Sequence, residues 1–214
     1  EWKKERSGAN LQILNKDDAA AFLKPFFSRC SGALWTNEYA DAVYAALPET
    51  GAKQLFVWNP GCGTGYESYS LACVLRKRYP DAKIRIYAQD TDLLAVSNAP
   101  LMSVPDAAAS DWYAPFLTKK VNGEYTFTQD VKDSIMFEYH DCQHTNQLPA
   151  IDIIFARDVL SLLPQSGQEA VITDFDEKLK ANGIIVVGEN ETLPAGVGFI
   201  EKTIGALKVY TKNK

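Results

Sequence analysis

The residues best suited to chemistry are a glycine loop, Asn59-Pro60-Gly61-Cys62-Gly63-Thr64-Gly65, and an acidic run further on, Gln89-Asp90-Thr91-Asp92. Side chains at Gly61, Gly63 and Gly65 would obstruct a ligand, so glycine there lets the backbone approach one closely, and a helix that follows offers its free N–H groups. Asp90, at the end of the next strand, can accept hydrogen bonds from both hydroxyls of a ribose. Such a loop serves dinucleotides, flavins and S-adenosylmethionine alike. Its spacing is Gly-x-Gly-x-Gly rather than G-x-G-x-x-G, so the cradle for a pyrophosphate is incomplete and S-adenosylmethionine fits better than a nicotinamide dinucleotide. Plainer readings stand beside these: a tight strand-to-helix turn for the loop, and a helix N-cap for Asp90, a role for which Asp92 competes.

A second constellation is His140, Cys142 and His144, which an extended strand would place on one face. Three alternating ligands rarely make a metal site alone, so a strand end entering a polar loop is the expected reading, with no metal. Cys30, Cys62, Cys73 and Cys142 form no C-x-x-C pair, which suits free thiols in a reducing compartment.

These residues need a scaffold, and 214 residues allow one α/β domain with a short extra segment. The net charge of -5 argues against a non-specific nucleic-acid binder. No apolar run approaches the roughly 18 residues that span a bilayer, and no signal peptide is recognisable, so a cytoplasmic protein is expected. The chain opens at Glu1 rather than methionine, which makes a longer parent chain the expectation.

The pattern predicts two early helices, one near Ala19–Leu23 capped by Asn15 or Asp17 and limited by Pro25, one capped by Thr36 and stopping at Pro48. Leu55–Trp58 and Ile84–Ala88 read as buried parallel strands around a helix at 67–79. Another helix begins at Leu93. Asn122-Gly123 between β-prone residues predicts an antiparallel ribbon. Ile135–Tyr139, Ile151–Phe155 and Ile184–Val187 are further strands, with a helix over 166–180 ended by Asn182-Gly183. Gly198–Lys202 and Ala206–Tyr210 predict a closing hairpin. The sum is a doubly wound sheet with an antiparallel edge.

Five blocks, in order, resemble the chemotaxis-receptor glutamate methyltransferases (CheR). Trp58–Ala72 is similar to the family's W-S-A-G-C-S-T-G-E-E-P-Y-S-L-A, with Cys62, Thr64, Gly65, Glu67, Tyr69 and Ser70 coinciding. Ala88–Asp92 resembles A-T-D-I-D, Phe137–Asp141 F-x-x-H-N, Ile151–Leu160 F-D-L-I-F-C-R-N-V-L, and Gly188–Leu193 G-H-S-E-S-L. The likeness spans roughly residues 34 to 212. It implies a Rossmann-like class I methyltransferase fold, a mostly parallel seven-stranded sheet with an antiparallel C-terminal hairpin. Residues 1–50 would be a helical segment and 51–214 the cofactor domain, with a small β-ribbon insertion at about 116–130. The resemblance implies S-adenosylmethionine as cofactor, S-adenosylhomocysteine as product, and a receptor glutamate as methyl acceptor. By the same resemblance Glu67 contacts the cofactor, Asp90 holds its ribose, Asp141 stands near the adenine, and Arg157 lines the methionine end; a salt bridge capping the sheet is the plainer reading of Arg157. The ribbon lies where the family places a partner-binding subdomain, with a simple sheet-edge ribbon as the alternative.

The departures fall where the acceptor belongs. The family's N-x-T-x-F-F-R arginine is missing, with Thr36 in its approximate place. Its tyrosine is replaced near Leu162, Asp158 stands where asparagine is usual, and Tyr66 replaces the first of two glutamates. Losing a cation and a tyrosine weakens the hold on an anionic acceptor. A domain that binds S-adenosylmethionine or its product for sensing or scaffolding is therefore the alternative expectation.

Overall fold

The computed structural model describes residues 13–105, 111–194, 198–205 and 207–212. The polar start of the chain and Ala206 of the closing hairpin lie outside them. Asn15 opens α1 (Lys16–Leu23), its side-chain oxygen accepting from the Asp18 N–H at 2.9 Å, and Pro25 follows in a 3₁₀ turn. Thr36 opens α2 (Asn37–Ala46), its hydroxyl accepting from the Tyr39 N–H at 3.3 Å.

β1 (Gln54–Pro60), α3 (Tyr66–Arg78), β2 (Lys83–Asp90) and α4 (Leu93–Asn98) form the expected β-α-β succession. β3 (Leu117–Lys119) and β4 (Tyr125–Phe127) pair antiparallel as a separate ribbon. Gly123 alone of the Asn-Gly pair has positive φ, at 89°, and its N–H bonds the Lys120 carbonyl at 3.1 Å. That geometry is a three-residue loop with a glycine bulge rather than a two-residue turn. There follow α5 (Gln129–Asp133), β5 (Ile135–Tyr139), β6 (Ile151–Ala156), α6 (Gln165–Lys178), β7 (Leu179–Val187), β8 (Phe199–Ile204) and β9 (Leu207–Lys212).

The main sheet runs β5-β2-β1-β6-β7-β9-β8. The first five strands are parallel, and β9 runs antiparallel to both its neighbours. Because side chains alternate along a strand, the central strands feed two cores. Val57, Ile153, Phe155, Ile184 and Val186 pack on one face with Tyr39 and Val43 of α2 and Leu71, Val74 and Leu75 of α3. Trp58, Ile154, Ala156, Ile185 and Val187 pack on the other with Val171, Ile172 and Phe175 of α6. Fully burying one such large side chain stabilises by about 1.5–3 kcal/mol, so the sheet centre is the anchor for the loops above it.

One boundary departs from the pattern. Asn182-Gly183 does not end α6, which stops at Lys178, with extended Leu179 as its C-cap and β7 already under way. Gly183 lies inside β7 beside an irregularity in the β6 register between Ile151 and Ile153. A Cβ there would sit 2.9 Å from the Asp152 carbonyl oxygen, so close backbone approach, not helix termination, calls for glycine.

Candidate functional site

Strand register sets the site. Pro60 lies opposite Gln89, so Gly61 and Asp90 leave the sheet side by side; Ala156 lies opposite Val187, so Arg157 emerges beside Gly188. Both pairs sit at the carboxyl ends of the strands, around the β1/β6 boundary where the strand order reverses, the usual place for a ligand in an open α/β sheet.

The Gly63 N–H donates to Asp90 Oδ2 at 2.7 Å and the Asp92 N–H to Oδ1 at 2.9 Å. Each carboxylate oxygen keeps acceptor capacity for another donor. Asp92, not Asp90, caps α4, accepting from Leu94 and Ala95 N–H, each at 3.0 Å. Gly65 caps α3 at φ 90°, and a Cβ there would lie 2.9 Å from the Phe137 ring. Gly63 differs: at φ 51° a Cβ would meet nothing within 4 Å, so its backbone faces open space.

Glu67, in the first turn of α3, accepts from Arg157 Nε at 2.6 Å and from Asn59 Nδ2 at 3.0 Å. Arg157 also donates from Nη1 to the Arg29 carbonyl at 2.7 Å, and its guanidinium lies 4.7 Å from the Tyr39 ring centroid. Burial pushes the Glu67 carboxyl up, with Arg157 pulling it partly back. Burial alone would lower the Arg157 guanidinium, but Glu67 and Tyr39 carry it upward on balance. The pair is a salt bridge and a cavity wall at once.

Two adjoining cavities meet here. A cleft of about 550 Å³ is lined by Gly61, Asp90, Asp141, Arg157 and Asp158, with Tyr139 and Leu162 at its edge. A smaller one of about 140 Å³ lies between Ser31-Gly32 and the glycine loop, touching Cys62, Gly63, Glu67 and Arg157. The structure thus brings together every sequence-predicted site residue except Gly65, which packs behind the loop. Asp141 Oδ1 accepts from the Gln143 N–H at 2.9 Å, and its other oxygen lies 3.4 Å from His144 Nδ1. Among the described residues, His140 Nε2 is buried and meets no hydrogen-bond partner. Burial and then Asp141 push the Cys142 thiol up to about 11. No cluster of three metal-ligating side chains exists among the described residues.

Sequence reasoning did not single out three further residues as site-builders. Asp158 sits at φ 57° and is 7% exposed, Ser28 is 5% exposed, and Glu191 is 3% exposed. Glu191 accepts the N–H groups of Asp158, Gly188 and Ser161 at 2.9, 2.8 and 2.9 Å. Left-handed backbone favours Asp and Asn, in keeping with the asparagine usual at position 158 in the family that the sequence resembles.

The open face at Gly63, the acceptor capacity of Asp90 and a lining of three carboxylates to one guanidinium fit a nucleoside that carries positive charge. The fold that frames them is the Rossmann-like class I fold of S-adenosylmethionine-dependent methyltransferases. The family model described as CheR methyltransferase, SAM binding domain matches residues 30–206, and the chain belongs to that family. The domain's cofactor is accordingly S-adenosylmethionine.

Among curated relatives, the chain is 22% identical over 151 residues to "Chemotaxis protein methyltransferase 2" of Vibrio cholerae, covering 64% of this chain and 51% of that protein. It is 24% identical over 163 residues to a "Chemotaxis protein methyltransferase" of Listeria monocytogenes, covering 73% of this chain and 62% of the relative. The chain therefore spans about half to three fifths of these relatives. A TehB-like SAM-dependent methyltransferase structure from Corynebacterium glutamicum aligns with a TM-score of 0.49 at 16% identity, over 81% of this chain and 86% of that one. No helix among the described residues is long and apolar enough to cross a membrane.

Proposed function

We propose that this chain binds S-adenosylmethionine in the paired cavities and serves methyl transfer to a side-chain carboxylate of a protein, a chemoreceptor glutamate. The observation that carries the reading is the Gly63–Asp90 hydrogen bond, which links the glycine loop, lining the small cavity, to the end of β2, lining the large one. Asp90 would hold the ribose hydroxyls, Asp141 would stand near the adenine, and Glu67 with Arg157 would bound the methionine end. Bound S-adenosylmethionine supplies an electrophilic methyl group. A carboxylate is already ionised at neutral pH, so the residues of this chain need only bind, orient and exclude water.

A second reading is a domain that binds the cofactor for sensing or scaffolding without turnover. A specific observation favours it. Thr36, in the place of the family's arginine, is engaged in capping α2; Leu162, near the place of the tyrosine, is 57% exposed; and Arg157 is held by Glu67 and a carbonyl. Among the described residues lining the cleft, no other lysine or arginine is present to receive an anionic acceptor.

Calorimetry with S-adenosylhomocysteine on the unaltered chain and on Asp90→Ala tests the shared part, with loss of binding expected in the variant. Radiolabelled methyl transfer to receptor fragments then separates the readings. Binding with transfer supports the first; binding with no transfer to any receptor preparation supports the second. Unchanged affinity in Asp90→Ala would refute the assigned pocket.

A further inference from the structure

Residues 26–32 run from the last residue of the 3₁₀ turn (Lys24–Phe26) through turns outside any helix or strand, and line both cavities together with the glycine loop. Their local backbone bonds are few: Phe27 N–H to the Lys24 carbonyl at 3.3 Å, and Ser31 N–H to the Ser28 carbonyl and Ala33 N–H to the Cys30 carbonyl, each 3.2 Å. What fixes them comes from the carboxyl ends of β6 and β7. Asp158 accepts from the Ser28 N–H (2.9 Å to Oδ2), from Ser28 Oγ–H (2.6 Å to Oδ1) and from Ser31 Oγ–H (3.0 Å to Oδ2). The Glu189 N–H donates to Ser28 Oγ at 2.9 Å, and Asn190 Nδ2 donates to the Phe26 carbonyl at 2.9 Å. The fit is close: a Cβ on Gly188 would lie 2.7 Å from both Asp158 Oδ1 and Ser28 Oγ.

We infer that Asp158 is a positioning residue that clamps residues 26–32 as a strap over the cofactor cleft, and that cofactor affinity depends on this clamp. The strap gives Phe27 and Ser31 to the large cavity and Ser31 and Gly32 to the small one, so it forms the wall opposite Gly61 to Thr64. Without it the small cavity keeps only the glycine loop, Tyr66, Glu67 and Arg157 as lining. Its chemistry also fits position 158. The Ser28 N–H and the Ser28 and Ser31 hydroxyls all direct donors at this position, so acceptors are needed there, and both oxygens of a carboxylate supply them. Glu191 holds the Asp158 N–H and so keeps the left-handed turn that aims the carboxylate at the strap. Asparagine keeps one acceptor oxygen and tolerates the same turn; glycine keeps the turn and removes the acceptor.

This inference rests on the cofactor reading above, so its test has two arms. Calorimetry with S-adenosylhomocysteine measures affinity, and ligand-free amide hydrogen exchange at residues 26–32 measures the clamp. Asp158→Gly should bind roughly 10-fold more weakly and exchange faster at the strap, while Asp158→Asn stays within about threefold of the parent, because a loosened wall surrenders pre-organisation. Asp90→Ala should lose affinity with strap exchange unchanged. Faster strap exchange with undiminished affinity in Asp158→Gly overturns the dependence, and unchanged exchange overturns the clamp. If that variant lacks a cooperative unfolding transition, Ser31→Ala, which deletes one strap bond, should speed exchange and weaken binding, and no change in either overturns the inference. If the unaltered chain does not bind, the cofactor reading and the affinity dependence fall together, while exchange still reports on the clamp.

Discussion

Glu191→Gln is the most informative single substitution for the scaffold under the site. Its Oε2 accepts the Asp158 and Gly188 N–H groups, and its Oε1 accepts that of Ser161, all within 2.8–2.9 Å and away from water. Glutamine is nearly the same shape but has one acceptor oxygen. With that oxygen in the Oε2 position two bonds survive as neutral ones, each weaker by about 1 kcal/mol than its charge-assisted parent. The amide nitrogen then faces the Ser161 N–H, donor against donor, and leaves that group unsatisfied at a cost of about 1–3 kcal/mol. The sum is about 3–5 kcal/mol. With a urea m-value of roughly 2–3 kcal/mol/M, the unfolding midpoint should fall by about 1–2.5 M. Tryptophan fluorescence in a urea titration reads this directly. Glu189→Gln is the control, since its Arg29 partner is 68% exposed and such pairs are worth about 1 kcal/mol or less. A loss under about 1 kcal/mol in Glu191→Gln would show that the three N–H groups do not rely on this carboxylate, and that it does not tie the segment after β6 to the segment after β7.

Three other outcomes follow from the same geometry. Asp92→Ala removes the cap of α4 and should cost about 1 kcal/mol by urea titration while leaving S-adenosylhomocysteine affinity intact, the opposite of Asp90→Ala. Gly65→Ala combines a left-handed backbone with a methyl 2.9 Å from Phe137 and should cost about 2–4 kcal/mol, seen as a lowered thermal midpoint. Aromatic disulfide reagents should label partly exposed Cys30 first and Cys142 slowly, whereas Cys62 and Cys73, whose thiols burial pushes far up, should react only after unfolding.

Local signals in the sequence carried the fold a long way. Thr36, Asn15 and Asp92 are caps whose side chains bond residues two or three positions away, and apolar runs such as Leu55–Trp58 announce strands buried on both faces. The glycine loop and Asp90 converge because β1 and β2 are consecutive parallel strands in register. Asn182-Gly183 misleads because the same glycine that ends helices also serves a strand that must approach another backbone closely, and only the β6 irregularity distinguishes the two. The clamp was not legible: Asp158 meets Ser28 across 130 positions and Glu191 meets Asp158 across 33, and no periodicity encodes such pairs. Arg157 stayed ambiguous between bridge and pocket wall for the same reason, its partner Glu67 lying 90 residues earlier.

The strap has a consequence for the order in which the molecule is built. It is made near the start of the chain, yet its anchors at Asp158, Glu189 and Asn190 lie 127 to 164 positions later. A nascent chain can form β1, α3 and β2 as they emerge, and with them the glycine loop and Asp90. It cannot close the strap until β6 and β7 are paired, because contacts this distant along the chain wait on large loop closures. The ligand wall that lies first in the sequence is thus the last to be set, and a chain truncated before β7 would carry a glycine loop with no roof.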